Sequence, residues 1–247
     1  MRSVRTVRQV LGTRPRVHYT WLLAIALIPA AVVTQFSTSY PLWQRAILGA
    51  VGAGLFFATV AIRELVLVFV SARKGMRIRS VTVFVFGGLP DVDRDTTLPS
   101  LELLLSLAGQ LCNLAVTGAL TVAYVLLVQT GSVLVDVVMQ WLAFIWLMLT
   151  FLHFAPAFPL DGGRALRAVL WRLTGDFDRA TRTAGWTGWG IGLVVSAGGI
   201  ALLVVTQEWF TGIFLIAVGL VLQNAATHGR RLASRPGATP AEPRNSQ

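Results

Sequence analysis

Six apolar runs of membrane-spanning length constrain this chain more than any other feature. They fall at roughly 19–36, 43–72, 101–128, 132–153, 185–206 and 209–226. A helix of about 20 mostly apolar residues crosses a bilayer's hydrocarbon core. The second run is long enough to tilt or to extend past the bilayer. Charged residues make up 13% of the 247, about half the share in a soluble domain. The cations are also grouped: 18 of the 21 Lys and Arg lie in residues 2–16, 73–79, 164–182 and 230–244. Six spans place all four blocks on one side, together with both termini, and the excess of positive charge makes that side the cytoplasm. The connections at 37–42, 129–131 and 207–208 carry no Lys or Arg.

The net charge of +10 could suggest nucleic acid. No nucleic-acid-binding motif accompanies the basic blocks, however, and few of their residues have aromatic neighbours, so no nucleic-acid partner is expected. The single Cys112 cannot close an intramolecular disulfide. The first apolar run begins late and is followed by no cleavage site, so it reads as a retained span.

Two stretches do not read as plain spans. "RIRSVTVFVFGGL", residues 77–89, is rich in Val, Phe and Thr and ends at Gly87-Gly88. That is strand chemistry closed by a turn, and a bare strand edge must pack on protein or line a cavity. In "HFAPAFPLDGGRALRAVLWRL", residues 153–173, Pro156 and Pro159 precede Asp161-Gly-Gly. The helix should break there and restart near Gly162, with Asp161 placed to cap it. The organisation expected is a basic N-terminal segment at 1–18, a membrane domain at 19–229 and a disordered polar tail at 230–247. The fold class is an all-α polytopic membrane protein of about six transmembrane helices, with a small membrane-associated β element near 77–89.

Three motifs then stand in order: "AIRELVLVFVSARKGMRIRSVTVFVFGG", "LAGQLCN" at 107–113 and "HFAPAFPLDGGR" at 153–164. Together they resemble the site-2 protease family of intramembrane zinc metalloproteases. The similarity covers roughly 15–226. In that family the first motif is H-E-x-x-H on a membrane helix. Two His one turn apart bind zinc, and the Glu between them acts as general base on the metal-bound water. The resemblance makes the Asp of the last motif the third ligand, here Asp161. It also implies a bacterial-type plasma-membrane protein.

Against that pattern the sequence reads Arg63-Glu64-Leu65-Val66-Leu67. The base position is kept as Glu64, but both His positions are lost, to Arg63 and Leu67. Arg stays protonated and has no lone pair to offer, and Leu has no donor atom. His153 stands eight residues before Asp161, where the family usually has Asn, and is a candidate substitute ligand. His18 matches a position the family often fills with His, and His228 lies in the C-terminal polar region. Gln110 stands where the family usually has Pro. Gly109 and Asn113 match, with Asn113, Gly87 and Gly88 implied to support the groove. No bound cofactor is expected, with zinc as the alternative.

Glu64 lies nine residues before Arg73, so it and Arg63 sit about 13 Å below the membrane edge. Charges at that depth pair or face a cavity. Neighbouring helix residues point about 100° apart, which makes Glu64 a poor partner for Arg63. Asp161, which in the family reaches the metal held at position 63, is the better one. The guanidinium would then replace part of the missing metal's charge.

The first function expected is a catalytically inactive homologue, a pseudoprotease. It would bind membrane lipids and either a single-span membrane protein or an active relative, adding an extended partner strand to the sheet. The second is an active metalloendopeptidase performing intramembrane proteolysis with an unusual ligand set. A transporter-like bundle is a third reading, but it lacks repeat symmetry.

Overall fold

A computed structural model of the chain describes residues 14–17, 25, 28–30, 33, 40–75, 78–84, 87–92, 98–128, 131–158, 160–207 and 209–233. The elements are β1 (Arg14–Val17), α1 (Leu42–Arg73), β2 (Ile78–Phe84), β3 (Gly87–Val92), α2 (Pro99–Leu127), α3 (Val133–Phe154), α4 (Asp161–Thr174), α5 (Phe177–Val205) and α6 (Trp209–Ala233). Four helical stretches are long and apolar enough to cross a membrane: Leu42–Arg73, Pro99–Leu127, Val135–Phe154 and Phe177–Val205. This is a helical membrane protein. The sixth run forms α6, whose apolar stretch Thr211–Thr227 is shorter than these four. Most of the first run, 19–36, lies outside the described residues, as does His18.

The helix ends follow from local chemistry. Pro41 precedes α1, and its carbonyl accepts from the amides of Gln44 and Arg45. Pro99 opens α2, where its missing N–H removes no helical bond. Pro156 follows the end of α3. Gly175 closes α4 at φ 72°, a left-handed conformation that costs Gly little. Asp176 caps α5, accepting from the amides of Asp178 and Arg179 at 2.9 Å each.

β2 is the centre of a three-stranded sheet, parallel to β1 and antiparallel to β3. It covers most of the stretch read as a strand, and the chain reverses there as expected, but Gly87 and Gly88 lie on the far side of the reversal. They open β3, paired with Phe84 and Val83, because a Gly pair can extend as well as turn. β1 recruits part of the segment read as a basic N-terminal arm. Helix α6 also runs four residues past the expected boundary at 229, to Ala233. There the stem of Arg230 packs across α5 at Gly185.

Phe56 and Val60 of α1 pack on Val138, Leu142 and Trp146 of α3, and Trp146 donates its indole N–H to Thr59 at 2.9 Å. A second core joins Ala157 and Leu160, before α4, to Val218 and Leu222 of α6. Helices α5 and α6 approach through small residues: a methyl on Gly192 would come within 2.7 Å of the Gly219 carbonyl oxygen. Backbones can come this close where the facing side chains are small.

Candidate functional site

Helix α1 buries one stripe, Phe56, Val60, Arg63, Glu64, Leu67, Val68 and Ser71. Arg63 is 3% exposed and Glu64 8%, so two charges lie on the face that packs inward. Charges in such a place need partners, and the fold brings them from three elements. The Arg63 guanidinium donates Nε–H to Asn113 Oδ1 of α2 at 2.6 Å, one N–H to Glu64 Oε1 at 2.5 Å and another to Asp161 Oδ2 of α4. One cation thus ties α1, α2 and α4 together and engages both carboxylates.

The Arg63–Asp161 contact is the one reasoned from the sequence. The judgement that Glu64 is a poor partner is corrected. Adjacent side chains leave the helix about 100° apart, but both flank the buried stripe, and the long Arg side chain curls back to the carboxylate. The capping role given to Asp161 is also corrected. Leu160 is the N-cap and Asp161 is the first helical residue, because its carboxylate goes to the guanidinium instead of the free amides.

The position of Asp161 is set by α2. Gly109 lies against its carboxylate, and a methyl at that residue would fall 2.7 Å from Oδ2. Ser106 donates its hydroxyl to the Asp161 backbone carbonyl. Gln110 donates to the Thr150 carbonyl at 3.1 Å and accepts from Asn113 Nδ2 at 3.5 Å, so it braces the Asn that holds Arg63. One helical turn before Ser106, Glu102 accepts two N–H bonds from Arg167 of α4. Arg164 is buried beside them, and its Nε has no hydrogen-bond partner among the described residues; Glu102 Oε2 likewise has none. Burial pushes Arg164 below its usual value, while Glu102 and Asp161 act in the opposite sense.

The sequence assigned no role to Ser106 or Glu102, and it marked Gln110 only as a departure from the family pattern. Their signal was present: Glu102, Ser106, Gln110, Asn113 and Thr117 recur at helical spacing within an otherwise apolar run. His153 is buried, with Nδ1 2.8 Å from the Leu149 carbonyl of its own helix. Leu67 is 2% exposed and packs one turn beyond Arg63. The side chain of His228 and those of Gly87 and Gly88's strand neighbours lie outside the described residues.

The donor set decides what metal the cluster suits. Glu64 and Asp161 supply carboxylate oxygens, and Arg63 and Leu67 supply no lone pair. No group of three or more His, Cys, Asp or Glu is close enough to hold a metal ion among the described residues. A catalytic zinc takes about three protein ligands and one open position, which this cluster does not provide.

Residues 7–197 match Peptidase family M50. The chain is 31% identical over 231 residues to a Mycobacterium tuberculosis protein named Rip3, covering 92% of this chain and 58% of that one. It is 29% identical over 234 residues to the Synechocystis protein sll0528, covering 91% and 59%. It is 26% identical over 203 residues to MJ0392 of Methanocaldococcus jannaschii, covering 80% and 54%. The names of all three include the words zinc metalloprotease. This chain spans less than two-thirds of the length of each.

Proposed function

The chain belongs to peptidase family M50, the site-2 protease family, and from that premise we propose that it is a catalytically inactive member that binds or regulates transmembrane partners without cutting them. The observation that carries this reading is the Arg63 guanidinium set against both Asp161 and Glu64. Those are the carboxylates the family would use as metal ligand and general base. Arg63 occupies them with N–H donors and supplies the positive charge they face. Helices α1, α2 and α4 then stay joined with no metal, and Glu64 has no metal-activated water to deprotonate.

The partner this supports is a single-span membrane protein or an active relative, engaged through an edge of the sheet by strand addition. The outer strands β1 and β3 offer the two edges, with Pro15 and Pro90 each removing one N–H donor from its strand. The distribution of basic residues supports a multi-pass plasma-membrane protein with both termini in the cytoplasm. The second reading, an active zinc protease, is favoured by the retained Glu64 and Asp161.

Cleavage separates the two. Purified protein incubated with a single-span substrate should cut no faster than its Glu64→Gln variant. Cleavage that disappears in Glu64→Gln would overturn the inactive reading. The double variant Arg63→His/Leu67→His tests whether the ligands alone are missing, and it should gain zinc binding.

A further inference from the structure

The outer face of α5 carries a second pattern, remote from the Arg63 cluster. Arg179, Arg182, Trp186, Leu193 and Ile200 are all exposed. At 100° per residue they fall within a stripe about 60° wide along the helix. Read down the axis, the stripe presents two cations, then an indole, then aliphatic side chains. With a rise of 1.5 Å per residue, Arg182 lies about 6 Å and Arg179 about 10 Å above Trp186, with Leu193 about 10 Å below it. Trp sits at the headgroup level of membrane proteins, so the two arginines reach the depth of the lipid phosphates.

Helix α6 adds a third cation at the level of Trp186. The Arg230 guanidinium carbon lies 3.8 Å from the centre of the Trp186 ring, within cation–π range. Arg230 also donates to Thr227 at 3.2 Å. Its stem crosses α5 at Gly185, where a methyl would meet Arg230 Cγ and lie 3.0 Å from Cδ. The missing side chain at Gly185 therefore lets Arg230 lie flat and hold its charge over the indole. Trp189 packs edge-on against Trp186, with ring centroids 5.9 Å apart. The nearby carboxylates are Asp176 and Asp178, at the start of α5. Asp176 caps the helix and also faces the charges of Arg179 and Arg182, so two carboxylates stand against three guanidinium groups. The face keeps an excess of positive charge.

We infer that Arg179, Arg182, Trp186 and Arg230 form a binding site for the headgroup of an anionic phospholipid. Its phosphodiester lies against the three guanidinium groups, and an acyl chain runs along Leu193 and Ile200. Charge complementarity selects a lipid with net negative charge, and the continuous apolar stripe below Trp186 selects a lipid over a soluble phosphate.

The test is native mass spectrometry of the full chain in detergent, titrated with phosphatidylglycerol, phosphatidylcholine or inorganic phosphate. The intact chain should retain phosphatidylglycerol over phosphatidylcholine, and inorganic phosphate should not displace it. Each basic residue at an anionic surface contributes about 5-fold, so Arg182→Gln/Arg230→Gln should lower retention by about 25-fold. Arg182→Lys/Arg230→Lys should keep most of it, and Arg45→Gln, which removes one positive charge at the far end of α1, should leave it unchanged. Equal retention of the two lipids by the unaltered chain would overturn the inference, whether or not the variants fold. So would displacement by inorganic phosphate, or an equal loss in Arg45→Gln. None of these outcomes bears on the Arg63 cluster, which none of the variants touches.

Discussion

Two buried charge clusters join α2 to α4, and they are built differently. Around Arg63, every side of one guanidinium meets an acceptor: Asn113, Glu64 and Asp161. One turn along the interface, two arginines lie near one carboxylate and only one of them bonds it. Arg167 takes Glu102 Oε1, while Glu102 Oε2 and Arg164 Nε have no hydrogen-bond partner among the described residues. A buried charge stabilises only when its hydrogen bonds are made. The first cluster therefore works as a clasp between three helices, and the second carries a cation that burial disfavours.

The largest effect should come from removing the two unlike cations in turn. Arg63→Met strands two buried carboxylates and should cost about 3–5 kcal/mol of unfolding free energy. Adding Glu64→Gln and Asp161→Asn should recover much of that loss, because the stranded charges are gone. Arg164→Met should be close to neutral or stabilising, since it removes a buried cation whose Nε makes no bond. Denaturation in detergent micelles measures all three. Equal losses for Arg63→Met and Arg164→Met would erase the distinction between the clusters.

A smaller effect should come from the helix face against which the clasp rests. Gly109→Ala places a methyl 2.7 Å from Asp161 Oδ2, and overpacking of this kind costs about 1–3 kcal/mol. The same substitution in an Asp161→Ala background should cost much less, so the two changes should be strongly non-additive. Additive losses would mean that Gly109 matters for the backbone of α2 alone.

The smallest effect lies outside both clusters. The backbone N–H groups of Arg179 and Asp178 hold the exposed Asp176 carboxyl below its usual value, helped by the charges of Arg182 and Arg179. A depressed carboxyl contributes stability above its ordinary pKa and loses it as pH falls through the folded-state value. The melting difference between the intact chain and Asp176→Ala should therefore be full above about pH 4 and shrink below it. A difference that stays constant down to the acid limit would contradict the capping role.

Much of this was legible in sequence because the physics is local. Apolar length marked the helices Leu42–Arg73, Pro99–Leu127 and Val133–Phe154 to within two residues or so. Depth in the membrane and the ordered motifs pointed Arg63 at Asp161. What escaped depends on how side chains bend and on which elements become neighbours. The Glu64 contact needs the Arg side chain to curl, which a helical wheel does not encode. Asp161 was read both as a cap and as the partner of Arg63, and which of the two takes its carboxylate is decided by the packing of α1 on α4. Strand β1 is four residues long and contains Pro15, and parallel pairing to β2 is a long-range choice with no local signature. The polar stripe on α2 was readable by its period, but its individual residues look like ordinary interhelical hydrogen bonders.

The central claim is that a guanidinium stands in the place of a metal. The measurement that tests it most directly is the zinc content of the chain purified without chelators, beside Asp161→Asn and Arg63→His/Leu67→His. The account predicts far less than one zinc per chain in the unaltered protein, no change in Asp161→Asn, and uptake toward one per chain in the double histidine variant. One tightly held zinc per unaltered chain, lost on Asp161→Asn, would contradict it.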